Sequence, residues 1–239
     1  MTFHDVIILS GGLGTRLAPV VSDRPKVLAE VNGQPFLKFL LDSLLRSGFK
    51  RVILAVGYRS ELIMDVFGDD YHGMEIIYSM EESPLGTGGA IGAASAFVQT
   101  ELVAVMNGDS WCQVDHYEIF RTIQEDDLQV GIAITHVDDA SRFGAIERNE
   151  NGMVTRFLEK GSGVRPGWIN AGIYYIRRNI FERVRDFNTP CSFEGTVLPS
   201  LIEEGIRTFP ALGEFIDIGV PESYAAASAF FRRNLPECR

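Results

Sequence analysis

Apolar positions along the chain change their rhythm about halfway. Residues 6–9 form a short unbroken apolar run, the pattern of a parallel strand buried on both faces. Residues 35–47 place apolar side chains at helical spacing, in the rows Phe36, Leu40, Leu44 and Leu37, Leu41, Leu45. Pro35 opens that helix and Gly48 stops it. Strand and helix then alternate: strand 51–56, helix 60–67 with Ser60 as its cap, strand 74–78, helix 88–97 and strand 102–106. This order implies a mostly parallel sheet with right-handed crossovers.

The second half reads differently. An acidic helix at 115–126 precedes strand-like segments at 129–136, 144–148, 154–159 and 168–176, with Asn151-Gly152 as a hairpin-type turn. Helices are expected at 180–184, 193–204 and 221–230. No repeat or long linker separates the halves, so the later strands should complete the same sheet. The expected fold class is α/β: one domain over 1–239, with a Rossmann-like mixed, mostly parallel sheet flanked by helices.

Charge and cysteine use narrow the partners. The 239 residues carry 32 acidic and 22 basic side chains, a formal charge of -10. A surface that acidic repels nucleic acid and anionic membranes. Cys112, Cys191 and Cys238 are odd in number, far apart and without a C-x-x-C pair, which argues against a disulfide framework or a zinc site and for a reducing cytosol. No leader pattern opens the chain, and no apolar run approaches the roughly 20 residues of a membrane span. A cytoplasmic protein is expected; a homo-oligomer is compatible with the sequence, which does not fix the oligomeric state.

The chemistry concentrates after the first strand, where Gly11, Gly12 and Gly14 fall at the edge that binds ligands in open α/β sheets. Glycines let backbone N–H groups approach phosphate oxygens; a tight turn is the plainer use. A P-loop requires Gly-Lys-Ser/Thr, but Thr15-Arg16 follows Gly14. A dinucleotide fingerprint requires a third small residue where Leu17 stands, and Pro19 opposes an immediate helix. The loop is a glycine-rich phosphate loop of neither type.

Gly11-Gly12-Leu13-Gly14-Thr15-Arg16-Leu17, followed by Arg24-Pro25-Lys26, resembles the signature of the sugar-1-phosphate nucleotidyltransferases. The resemblance extends through Pro84–Ala90, Asn107-Gly108-Asp109, Glu159-Lys160, Asn170-Ala171-Gly172 and Phe215–Gly219, nearly the whole chain. Within the family, residues 31–37, 84–91, 168–174, 192–194 and 215–224 are most similar to the D-glycero-α-D-manno-heptose 1-phosphate guanylyltransferases. The chain departs from the family at Val27 and Glu30, where Pro is usual, at Ala18, where a basic residue is common, and at Gly161, where Pro is usual. Mannose, glucose and N-acetylmuramate 1-phosphates stay open as acceptors. The chain ends soon after its last helix, so no appended β-helix domain is expected.

The resemblance implies the fold of nucleotide-diphospho-sugar transferases. About 1–110 would bind the nucleotide and about 111–239 the sugar. The implied reaction is attack of a sugar 1-phosphate oxygen on the α-phosphorus of a nucleoside triphosphate. Its nucleophile is already anionic, so it demands charge cancellation and in-line approach rather than a general base. Arg16 offers forked donors and Lys26 a compact charge, and the resemblance makes both catalytic phosphate contacts. It also sets Ser10, Gly11, Gly12, Gly14, Thr15, Gly86, Thr87, Gly88, Asn107 and Gly108 against the nucleotide. Asp109, the third catalytic residue, ends a strand at the ligand edge. Asp217 lies between Ile216 and Ile218, where a buried carboxylate needs a partner. The two resemble a magnesium pair, since Mg²⁺ takes one or two protein carboxylates and fills its shell with phosphate and water. Glu159, Lys160, Gly144, Asn170 and Gly172 are implied at the sugar phosphate, with a turn as the alternative for Asn170.

Glu81 and Glu82 precede the second glycine cluster. Guanine's pairing edge presents two adjacent donors, which suit a carboxylate, whereas uracil or thymine presents one. This favours GTP and leaves UTP and dTTP open. A dinucleotide oxidoreductase lacks its third glycine here. A silent nucleotide-sugar sensor would not need Arg16, Lys26, Asp109 and Asp217 together.

Overall fold

A computed structural model describes residues 4–158 and 166–235. Glu159 and Lys160 lie outside the described residues. Among the described residues eight strands form one sheet: β1 (Asp5–Leu9), β2 (Arg51–Val56), β3 (Asp70–Tyr71), β4 (Met74–Met80) and β5 (Leu102–Asn107), then, after a short β6 (Ser110–Cys112) outside it, β7 (Val130–Val137), β8 (Gly167–Arg177) and β9 (Ile206–Pro210). The order across the sheet is β9-β7-β8-β5-β1-β2-β4-β3. Pairings β1–β2, β1–β5, β2–β4 and β7–β9 are parallel; β8 runs antiparallel to both β5 and β7, as β3 does to β4. Of the later strands expected to complete the same sheet, β7 and β8 do, whereas Ile146–Arg148 and Val154–Phe157 pair antiparallel with each other in a separate two-stranded sheet, because the turn at Asn151-Gly152 closes their ladder locally.

Strand alternation supplies two cores. Val6, Ile8, Val52, Leu54, Ala104 and Met106 face one side, while Ile7, Ile53, Ala55, Val103 and Val105 face the other. On the first side pack α1 (Phe36–Arg46), α2 (Ser60–Phe67), α4 (His116–Glu125) and α6 (Pro221–Asn234); on the second, α3 (Gly86–Ala94) and α5 (Ile180–Asp186). Because both faces are covered, the central strands show continuous apolar runs.

Three further expectations change. Ser60 is the first helical residue of α2 and not its cap; Arg59, with φ +50°, takes that position without a side-chain bond. The single helix expected at 193–204 is three short pieces, Phe193–Val197, Leu198–Ser200 and Ile202–Glu204. Pro199 lacks the amide that a continuous helix would use there. Finally, β9 escaped the sequence reading because Arg207, Thr208 and Pro210 dilute its apolar signal, which an edge strand tolerates.

Candidate active site

β1 and β5 are adjacent and in register, Leu9 opposite Asn107, so both chains leave the sheet at the same edge. The glycine loop follows β1 and Gly108-Asp109 follows β5. Their approach is close: Gly108 N–H donates to the Leu9 carbonyl at 2.9 Å, and a Cβ on Gly108 would lie 2.6 Å from that oxygen. A short strand, β10 (Phe215–Asp217), then pairs antiparallel with β6 and sets Asp217 opposite Ser110. Ile218 N–H donates to the Asp109 carbonyl at 2.9 Å. Two carboxylates far apart in sequence thus meet at one sheet edge.

Their charges are felt. Burial, and after it the Asp109 charge, push the Asp217 carboxyl above its ordinary pKa. The Gly219 N–H, donating to Asp217 Oδ1 at 2.6 Å, and the cations Lys26 and Arg16 oppose that rise. Lys26 forms an ion pair with Asp109, both largely withdrawn from water. An Arg16 guanidinium nitrogen lies 3.5 Å from where a Cβ on Gly219 would sit, on the Asp217 side of the pair. The structure therefore brings Arg16, Lys26, Asp109 and Asp217 into one charge cluster.

Beside this cluster a cavity of about 440 Å³ opens. Ser10, Gly11, Gly12, Gly14, Thr15, Lys26, Glu81, Gly86, Thr87, Asn107 and Asp109 all line it. Gly88 and Gly108 stand behind the wall, their amides given to the Cys191 and Leu9 carbonyls. The Ser10 hydroxyl is buried without a hydrogen-bond partner among the described residues. Burial raises the Glu81 carboxyl, against one N–H bond from Leu85 at 3.2 Å. Glu82 is exposed.

The acceptor-side candidates are arranged otherwise. Asn170 sits where the β8–β7 register shifts; its Oδ1 accepts the Gly172 N–H at 2.8 Å and its Nδ2 donates to the Tyr174 hydroxyl at 2.6 Å. Gly172, with φ +76°, packs against Ser110 and Asn107, where a Cβ would lie 2.6 Å from Ser110 Oγ. Gly144 turns with its N–H on the Ala140 carbonyl, outside the cavity lining. Among the described residues no group of three or more His, Cys, Asp or Glu side chains is placed to hold a metal, and the carboxylates at this edge are Asp109 and Asp217.

The sequence reading missed Glu194. It lines the cavity and accepts from Thr87 Oγ1 at 2.9 Å and from the Tyr174 hydroxyl at 2.8 Å. Ser192, whose hydroxyl caps Gly195 N–H at 3.0 Å, was the available signal: a cap at that point begins a new turn and aims Glu194 away from solvent. No helix among the described residues is long and apolar enough to cross a membrane.

Comparison with known proteins agrees with this geometry. A nucleotidyl transferase family model matches residues 5–234. The D-glycero-alpha-D-manno-heptose 1-phosphate guanylyltransferase of Campylobacter jejuni is 38% identical over 223 residues, covering 91% of this chain and 96% of its own. That of Aneurinibacillus thermoaerophilus is 36% identical over 224 residues, covering 93% and 96%. The crystal structure of HddC from Yersinia pseudotuberculosis complexed with GMP-PN superposes with TM-score 0.83 at 35% identity, covering 96% of this chain and all of that one. By this match and these identities, the chain belongs to the nucleotidyl transferase family.

Proposed function

We propose that this enzyme transfers the guanylyl group of GTP to D-glycero-α-D-manno-heptose 1-phosphate, giving the GDP-sugar and pyrophosphate. The observation that carries the reading is one cavity lined both by the desolvated Glu81 carboxyl and by the Lys26–Asp109 ion pair, with Asp217 close enough to Asp109 to feel its charge. Glu81 has acceptor capacity beyond its single bond to Leu85, which suits the paired N1–H and 2-amino donors of guanine. Two relatives above one third identity carry guanylyltransferase names, which supports the same base and the same acceptor.

The step follows from these positions. A sugar phosphate oxygen attacks the α-phosphorus in line, the bond to the bridging oxygen breaks, and its electron pair leaves with pyrophosphate. The main-chain amides of residues 11–15 and the cations of Arg16 and Lys26 offset the charge gathered on the phosphates. Asp109 and Asp217 would hold a divalent cation, for which we propose Mg²⁺: two hard carboxylates brought together at one sheet edge, the Asp217 carboxyl raised by burial and the Asp109 charge, suit it. Such an ion supplies charge neutralisation and a template for the two phosphates. Glu159 and Lys160 keep the acceptor role that the family pattern implies. Cys112 and Cys191 are free thiols, which supports a reducing cytoplasm as the compartment.

The test is pyrophosphate release across GTP, UTP, dTTP, CTP and ATP, each with heptose, mannose, glucose and N-acetylmuramate 1-phosphates and Mg²⁺. GTP with the heptose phosphate should turn over fastest. Equal rates with all bases, or none with any pair, would remove the reading.

A further inference from the structure

Between the nucleotide cavity and the bulge of β8 runs a chain of hydrogen bonds whose middle members, Glu194 and Tyr174, have no part in either substrate assignment. The Phe193 N–H donates to Thr87 Oγ1 at 2.8 Å, and that hydroxyl donates to Glu194 Oε2 at 2.9 Å. The other carboxylate oxygen accepts from the Tyr174 hydroxyl at 2.8 Å, which in turn accepts from Asn170 Nδ2 at 2.6 Å. Asn170 Oδ1 ends the chain on the Gly172 N–H. Tyr174 is fully buried, so its hydroxyl has no water to replace a lost partner.

We propose that Glu194 is a positioning residue that couples the two substrates of the transfer just assigned, with Tyr174 and Thr87 as its arms. Each bond in the chain has one sense. Thr87 and Tyr174 both spend their only hydroxyl proton on the carboxylate, and each accepts from a neighbour on its far side. A carboxylate accepts at both oxygens, and an amide does not, so only an ionised acid completes the chain in this direction. Thr87 is at the start of α3 on the nucleotide wall. Gly172 rests on Asn107 and Ser110, which bracket Asp109. A nucleotide pressing on Thr87 therefore reaches the backbone beside Asp109 through hydrogen-bonded groups that pass across the buried Tyr174. Such satisfied networks rigidify their surroundings and lose their effect as a unit when one member is cut.

The experiment measures binding rather than turnover. Heptose 1-phosphate is titrated into the Mg²⁺-loaded full chain by calorimetry, with and without the α,β-methylene analogue of GTP, which cannot release pyrophosphate. In the wild type the analogue should tighten the sugar phosphate by about tenfold, within the usual range of site coupling. Tyr174→Phe keeps the ring and should reduce that factor to below about twofold, with the analogue's own affinity little changed. Thr87→Val should lower that factor to the same extent, in addition to weakening the analogue itself at the nucleotide wall, and Thr87→Ser should keep the wild-type factor because the hydroxyl remains. The Tyr174→Phe, Thr87→Val double variant should be no worse than either single one. A factor equal in wild type and variants, or effects of the two substitutions that multiply, would overturn the proposal. If Tyr174→Phe fails to fold, the Thr87 pair carries the comparison. A wild type that binds neither ligand fails the proposed function itself, whereas binding without altered coupling fails only the role of Glu194.

Discussion

The site is built partly of glycine-rich main chain and partly of charged side chains. In the glycine-rich part, Gly11, Gly12, Gly14 and Gly86 line the cavity without side chains, and Gly86, Gly88 and Gly89 leave room for Leu85, Thr189 and Cys191 to pack against them. In the charged part, Lys26, Asp109 and Asp217 come from three separate segments, joined by the β1–β5 and β6–β10 pairings. The first surface is sensitive to added volume and the second to altered charge. A site can thus hold its fold and its chemistry on different residues, and substitutions should separate them.

The largest effect should come from the charged part. Asp109→Asn keeps the shape but removes a proposed metal donor and the charge facing Lys26, and kcat should fall about a thousandfold. Asp217 loses a repelling neighbour, so the melting temperature should stay within a few degrees. Wild-type turnover in this variant would sink the metal assignment, and a large fall in melting temperature would erase the contrast.

Gly86→Ala asks the converse. Gly86 has φ +72°, and an added Cβ would lie 2.3 Å from the Cys191 carbonyl oxygen. Strain and overpacking together should cost about 3 kcal/mol in urea unfolding at unchanged metal affinity. Full stability would mean that the glycine-rich part is not limited by volume.

Glu81→Gln tests whether the cavity also reads the base. The amide faces guanine's two donors with one acceptor, so kcat/KM for GTP should fall about fiftyfold, with dTTP and UTP gaining relative to it. An unchanged ranking of nucleotides would place base recognition elsewhere.

The smallest effect concerns acid. His116 is buried against Phe49 and Tyr175, and burial pulls its pKa down to about 4 from the usual 6.5. The unfolded chain takes up this proton first as pH falls, so stability present above pH 6.5 is lost between 6.5 and 4, by about 2 kcal/mol at pH 5. Asp217 works in the opposite sense: its raised carboxyl binds a proton more readily when folded, so its protonation favours the fold while removing a proposed metal donor. Urea titrations at pH 7 and 5, with the His116 ring followed by NMR, would separate the two. Protonation of His116 at pH 6 would refute its share.

How far the sequence carried each part depended on locality. The bounds of β2 and α2, and the start of α1 just after Pro35, were legible because periodicity and stop signals act within a few residues. The glycine loop and Lys26 were legible for the same reason. Glu194 was not, since an acidic residue in a capped turn looks solvated until β8 packs Tyr174 beside it. The break at 193–204 was signalled by Pro199, but the wide turn before it depends on packing against α3.

By itself the sequence determined the alternation of strands and helices, the glycine-lined mouth and the identity of the charges, all of which are short-range patterns. Only the tertiary structure decided that Asp109 and Asp217 share an edge, that Asn107 and Gly172 touch, and that Thr87 and Asn170 are joined through Glu194. These facts rest on strand pairing and burial between segments far apart in the chain, where the cost of isolating a carboxylate or a hydroxyl from water selects its partner.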